Sequence, residues 1–165
     1  MQPQVLAQNA TVAILDSHRQ VEESVRRLRQ SGFDLSKVSV VALDRHPAEQ
    51  VVAHYGVGGQ AKYWGESGPF WTEMWGSLSG WACLVLPDAG PILVAGPLSG
   101  WIVAAVESQV VFGGLSALGA ALYGLGISKA AVLRCEAAVR MEKLLLIAHG
   151  AGEEMGRARE ILKNE

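Results

Sequence analysis

Apolar and polar positions alternate between two periods along the flanks of this chain, and the change of period marks its elements. Thr11 to Asp16 (TVAILD) is a short run of strand formers that Asp16-Ser17 stops. Ser17 followed by Gln20 has capping-box spacing, and Val21, Val25 and Leu28 recur at i, i+4 and i+7, so a helix starts there. Glu22/Arg26 and Glu23/Arg27 are i,i+4 pairs on its wet side. Gly32 stands where a left-handed C-terminal cap belongs. Lys37 to Leu43 (KVSVVAL) reads as a second strand, and Glu49 to Tyr55 (EQVVAHY) as a third that ends at Gly56. Ser128 caps a helix over 129–141, with Ala130, Leu133, Ala137 and Met141 on one face. Lys143 to His149 (KLLLIAH) is the fourth strand. A last helix follows Gly150 to Gly152, with Met155, Ala158 and Leu162 on its inner side and Arg157 and Arg159 outside.

This order predicts an α+β fold: a ferredoxin-like split β-α-β-β-α-β sandwich with strand order 4-1-3-2, an insertion, and an extra C-terminal helix. Both crossover helices then cover one face of the sheet. Yet Leu144, Leu145, Leu146 and Ile147 leave no polar side, and neither does Val38 with Val40 and Val41. Strands that read this way are covered on both faces. The insert, the terminal helix or another subunit must supply the second cover.

The insert breaks the pattern. Between Lys62 and Lys129 there is no lysine or arginine, and only four acids: Glu66, Glu73, Asp88 and Glu107. The same interval holds all five tryptophans (64, 71, 75, 81 and 101) and twelve of the nineteen glycines. The spacing predicts an apolar helical hairpin. Phe70 to Leu86 is its first arm, Pro87 to Pro91 its turn, and Ile92 to Ile127 a second arm bent near Pro97 and again near Glu107. Small residues recur at spacing four, as in Gly76/Gly80 and Gly96/Gly100, which lets helix backbones approach closely. In a soluble reading the hairpin packs on the open sheet face and joins subunits. In a membrane reading its arms cross lipid, and the aromatic cluster from Tyr63 to Trp75 marks the interface. The chain thus divides into a tail (1–10), a ferredoxin-like unit (11–60 and 128–165) and the insert (61–127).

Composition narrows the classes. At 165 residues and half apolar, the chain can bury a sizeable core. A formal net charge of -2, without a basic stripe, excludes a nucleic-acid binder. Cys83 and Cys135 are far apart and read as buried apolar groups. Met1 to Ala10 lacks a basic region followed by an apolar run, which places the chain in the cytoplasm, or on the cytoplasmic face of an inner membrane in the second reading.

Candidate chemistry is sparse. His54 and His149 end strands at the same end of the sheet, but the first strand lies between them in the expected order, a long reach for a shared metal. Gly56-Val57-Gly58-Gly59 lacks phosphate-loop spacing. Asp16, Asp44 and His46 gather at the opposite sheet end, where a small polar ligand would fit. Nucleophile, base and oxyanion donor do not converge, so the expectation is no enzyme, no cofactor and no metal. The expected contact surface with other copies, or with a bilayer, comprises Trp64, Trp71, Trp75, Gly76, Gly80, Trp81, Gly96, Gly100, Trp101, Glu107, Gly113 and Gly114.

Over about residues 11–160 the chain resembles the bacterial general-stress, or heat-induced stress, protein domain. The matching stretches are Lys62-Tyr63-Trp64-Gly65, Phe70-Trp71 with Trp75-Gly76, Pro87 to Pro91, and Gly113 to Gly119. The resemblance implies a small stress-associated, membrane-associated bacterial protein and supplies no mechanism. The expectation is a non-enzymatic homo-oligomer assembled through its apolar hairpin; the alternatives are a cytoplasm-facing inner-membrane hairpin protein and a small-ligand regulatory domain.

Overall fold

The computed structural model describes residues 4–6, 9–43, 55–56, 68–78, 81–86, 90–108 and 117–163. In chain order these form β1 (Gln4–Leu6), β2 (Ala10–Leu15), α1 (His18–Gln30), β3 (Val38–Leu43), β4 (Tyr55–Gly56) and α2 (Gly68–Ser77). They continue with β5 (Trp81–Leu86), β6 (Gly90–Ala95), α3 (Leu98–Ser108), α4 (Ala117–Gly124), α5 (Lys129–Arg140), β7 (Leu144–His149) and α6 (Gly152–Lys163). The strands make one sheet in the order β1-β2-β7-β3-β6-β5-β4, with every neighbouring pair antiparallel.

The α+β class and the flanking elements agree with the sequence pattern, whereas the expected strand order does not. β7 lies between β2 and β3, in register from Ala10↔His149 to Leu15↔Leu144 on one side and from Val38↔Ala148 to Val41↔Leu145 on the other. The interior place goes to the strand with no polar side chain from Leu144 to Ala148. The expected third strand is described only at its end, where Tyr55 and Gly56 form the far edge beside β5.

Helix termini follow the local signals. Ser17 and Gln20 make both bonds of the capping box, each at 3.2 Å. Gly32 takes φ +86° after α1, and the Phe33 amide donates to the Leu28 carbonyl. The Ser128 hydroxyl accepts from the Ala131 amide at 3.2 Å. On α1, Arg26 meets Glu23 at 3.2 Å, one residue off the i,i+4 spacing expected.

The sheet is covered on both faces. Ala13, Leu15, Val38, Val40, Leu93, Ala95, Leu144 and Leu146 face α1, α2 and α6. Val12, Ile14, Val41, Ile92, Val94, Leu145 and Ile147 face α3, α4 and α5. The two crossover helices, expected on one face, are therefore on opposite faces, and α6 joins α1. The insert is no helical hairpin among its described residues. Its first arm is the helix α2 followed by the strand β5, the start of its second arm is the strand β6, and the helix α3 comes after that. β-branched and leucine-rich runs such as Trp81–Leu86 and Gly90–Ala95 suit paired strands better than helices. α3 and α4 then supply the second cover.

Gly96 fixes how α3 leaves the sheet. Its φ is +101°, and a Cβ there would lie 2.2 Å from the Val38 carbonyl oxygen and 2.6 Å from Ser39 Cα. The turn therefore presses directly on β3. Two residues later the Leu98 amide donates to the buried Ser39 hydroxyl at 3.0 Å, which satisfies an orphan donor of α3. Gly96→Ala is expected to lower the unfolding free energy by about 2 kcal/mol or more. It should appear as a lower urea midpoint at unchanged slope. Gly156 on α6, with nothing within 4 Å of an added Cβ, is the control; alanine there should leave stability unchanged or raise it.

Candidate functional site

The outer surfaces of the two helical layers differ in chemistry. On α1 the exposed positions are His18, Arg19, Glu22, Glu23, Arg26, Arg29 and Gln30. Between α1 and α2 lies an open groove of about 300 Å³ whose three arginines (19, 26 and 29) face three glutamates (22, 23 and 73). Its charges balance, so it offers no net attraction to an anion. On α3 and α4 the exposed residues with described side chains are Gly100, Trp101, Ala104, Tyr123 and Gly124, and none is charged. The four large hydrophobic side chains exposed among the described residues are Trp101 (40%), Tyr123 (49%), Leu133 (50%) and Met141 (70%). All four belong to the α3–α5 side.

The surface expected from sequence is thereby divided. Gly96 is buried and serves the turn against β3, not an interface. Gly76 and Gly100 are exposed, and a side chain on either would meet nothing within 4 Å. They are therefore not points of close helix contact among the described residues. Trp101 is exposed on α3. Trp71 and Trp75 lie on α2, Trp81 opens β5 and Glu107 is near the end of α3, but their side chains are outside the described residues. So are Trp64, Gly80, Gly113 and Gly114 entirely, and the whole of Asp44, His46 and His54.

At the ligand end expected from sequence, Asp16 bonds through its carboxylate to the Lys143 ammonium, and its amide donates to the Gln20 side chain. It works there as a link between β2 and β7. The opposite sheet end is richer. His149, at the end of β7 and half-buried, packs its ring on Trp101 at 5.2 Å and 58°. Lys37 donates to both carboxylate oxygens of Glu154, at 3.0 and 2.8 Å. That hydrogen bond holds the Lys37 ammonium above, and the Glu154 carboxyl below, their ordinary values. Burial, followed by the nearby Lys37 charge, depresses the His149 imidazolium, while Glu154 pulls the other way. Among the described residues no three His, Cys, Asp or Glu side chains converge on a point that could hold a metal. The Cys135 thiol is buried and pushed up to about 11 by that burial, so it packs as a small apolar group.

Sequence reasoning missed two residues. Glu136 is 3% exposed, with its carboxylate over Gly119, where a Cβ would come within 2.9 Å of Oε2. Its spacing with Val132 and Val139, at i+4 and i+7, was the available signal. The contact of Trp101 with His149 joins residues 48 positions apart and had none.

Comparison of the chain with protein-family models, with curated proteins and with solved structures finds no match.

Because the folded state holds His149 neutral below its ordinary value of 6.5, this group stabilises the fold fully above that pH. The contribution declines as pH falls through 6.5 toward the depressed folded value. Urea midpoints of the wild type should therefore drop between pH 7.5 and 5.5 by more than those of His149→Gln. Equal drops would remove His149 from the account.

Proposed function

We propose that the chain is a non-enzymatic, stress-associated structural protein of the cytoplasm that works as an assembly of its own copies. The outer surface of α3 and α4 is the contact. The observation that carries this reading is a contrast between the two layers: the outside of α1 is polar and charged throughout, while the described exposed side chains of α3 and α4 are an indole, a phenol and small residues, none of them charged. Glycine inside a helix costs about 1 kcal/mol relative to alanine. Among the described residues nothing lies near Gly100 that would explain it, and a close approach by another copy would.

The resemblance to the general-stress domain supplies the stress-associated part of the proposal. We read β2, α1 and β3, two parallel strands split by β7, as its ferredoxin-like element. The membrane-hairpin alternative has less support. No helix among the described residues is long and apolar enough to cross a membrane, and much of the apolar insert is absorbed by the sheet and its second cover.

Light scattering of detergent-free protein tests the reading. The wild type should run as a multiple of 17.6 kDa. Gly100→Leu and Tyr123→Glu should lower that mass with the circular dichroism spectrum unchanged, since both positions are exposed. A wild-type monomer at micromolar concentration would end the proposal.

A further inference from the structure

His149 joins the sheet to the surface assigned to self-assembly. It follows Leu145 and Ile147 at alternate positions along β7, so its ring lies on the face toward α3, α4 and α5. There it packs on the Trp101 indole, with ring centroids 5.2 Å apart and planes at 58°. His149 is half-buried, while Trp101 is 40% exposed on α3, whose described exposed side chains carry no charge. Two charged groups act on the imidazole among the described side chains: Lys37, which precedes β3, and Glu154 on α6. The neighbouring strand β2 sets the uncharged Ala10 opposite it. Glu154 is already committed, because both of its carboxylate oxygens accept from the Lys37 ammonium, at 3.0 and 2.8 Å. The site therefore suits a neutral ring. A proton on His149 would place a charge where water is scarce, a second cation is close and the nearby carboxylate is engaged.

We propose that self-assembly is gated by a proton: a second copy seated on Trp101 and a protonated His149 exclude one another. The inference rests on the α3–α4 contact proposed above and adds its regulation. A copy docked over the indole covers the imidazole behind it and removes the water that an imidazolium needs. The ion's other recourse is to turn outward. That takes the ring away from Trp101 and brings a cation to the edge of an uncharged contact. By either route the charged form binds a second copy less well. An imidazolium is also attracted to an indole, but that attraction acts before and after docking alike and so does not favour the assembled state. The coupling is reciprocal, so assembly in turn makes His149 harder to protonate.

The test is light scattering of the full chain between pH 7.5 and 5.5, over a dilution series, with a circular dichroism spectrum at each pH. The mass at pH 7.5 reports the contact, and its change with pH reports the gate. The wild type should lose mass as pH falls, with an unchanged spectrum. Its Kd should steepen toward about tenfold per pH unit for each His149 that must shed a proton to assemble. His149→Gln should remove this dependence, whatever its own affinity. Lys37→Gln removes the competing cation and frees Glu154 to accept from the imidazolium, so dissociation should begin at a higher pH. This second variant also covers the case in which His149→Gln folds poorly. A wild type assembled at pH 7.5 and unchanged at pH 5.5 overturns the gate and leaves the contact standing. A mass that rises as pH falls, a dissociation that persists in His149→Gln, or one that comes only with loss of the spectrum also overturns the gate. A mass of 17.6 kDa at every pH removes the contact and the gate together.

Discussion

The structure depends on one seam, the antiparallel pairing of β3 with β6 and the backbone contact of Gly96 that closes it. Val40↔Ala95 through Leu43↔Ile92 joins a strand of the flank to a strand of the insert. Gly96 then lays its Cα against Val38 and Ser39, and Ser39 caps the helix that follows. Without this seam β3 becomes a sheet edge and the α3–α4 cover has no anchor. Of the second cover only α5 would then remain against β7 and β3. The insert is a structural half of the domain rather than an appendage to it.

That arrangement explains how a segment without lysine or arginine can belong to a chain with ordinary charged flanks. Strands buried on two faces and helices buried on one need little polarity. What remains is chemically lopsided among the described side chains: the exposed positions of α1 are charged or polar, those of α3 and α4 carry no charge, and α5 exposes Leu133. The proposed self-assembly uses the α3–α4 part of this second layer. Between sheet and surface, Trp101 reaches back from the exposed side of α3 to the half-buried His149.

Local signals in the sequence were read faithfully. The Ser17/Gln20 capping box, the Gly32 and Ser128 caps and the inner face of α6 all stand where spacing put them, because each is decided within a few residues of itself. The two-sided apolar character of LLLI was also legible, and it implied a second cover. What failed was the choice between periods in the insert, while the stripe noted on α5 is one face but not the buried one. ACLVL and PILVA are short apolar runs that periodicity cannot assign to helix or strand. The glycine spacing around them favoured helices, yet Gly96 serves a turn. On α5 two apolar stripes compete. The one with larger side chains, Leu133 and Met141, is outside, while the smaller Ala131, Cys135 and Ala138 fit close against the neighbouring layer. The candidate surface was legible as a region but not as a face. Trp101 and Gly100 fall on it, Gly96 is inside, and Leu133 with Met141 came from outside the insert altogether.

Native-state hydrogen exchange tests most directly whether the insert and the flanks are one cooperative unit. The seam predicts that the amides of Leu93 to Ala95 on β6 exchange as slowly as those of Leu145 to Ile147 on β7. It predicts also that both sets are released together as urea approaches the unfolding midpoint. If the β6 amides instead exchange through a low-energy opening while β7 stays protected, the insert is a separable appendage and the account built on the β3–β6 seam is wrong.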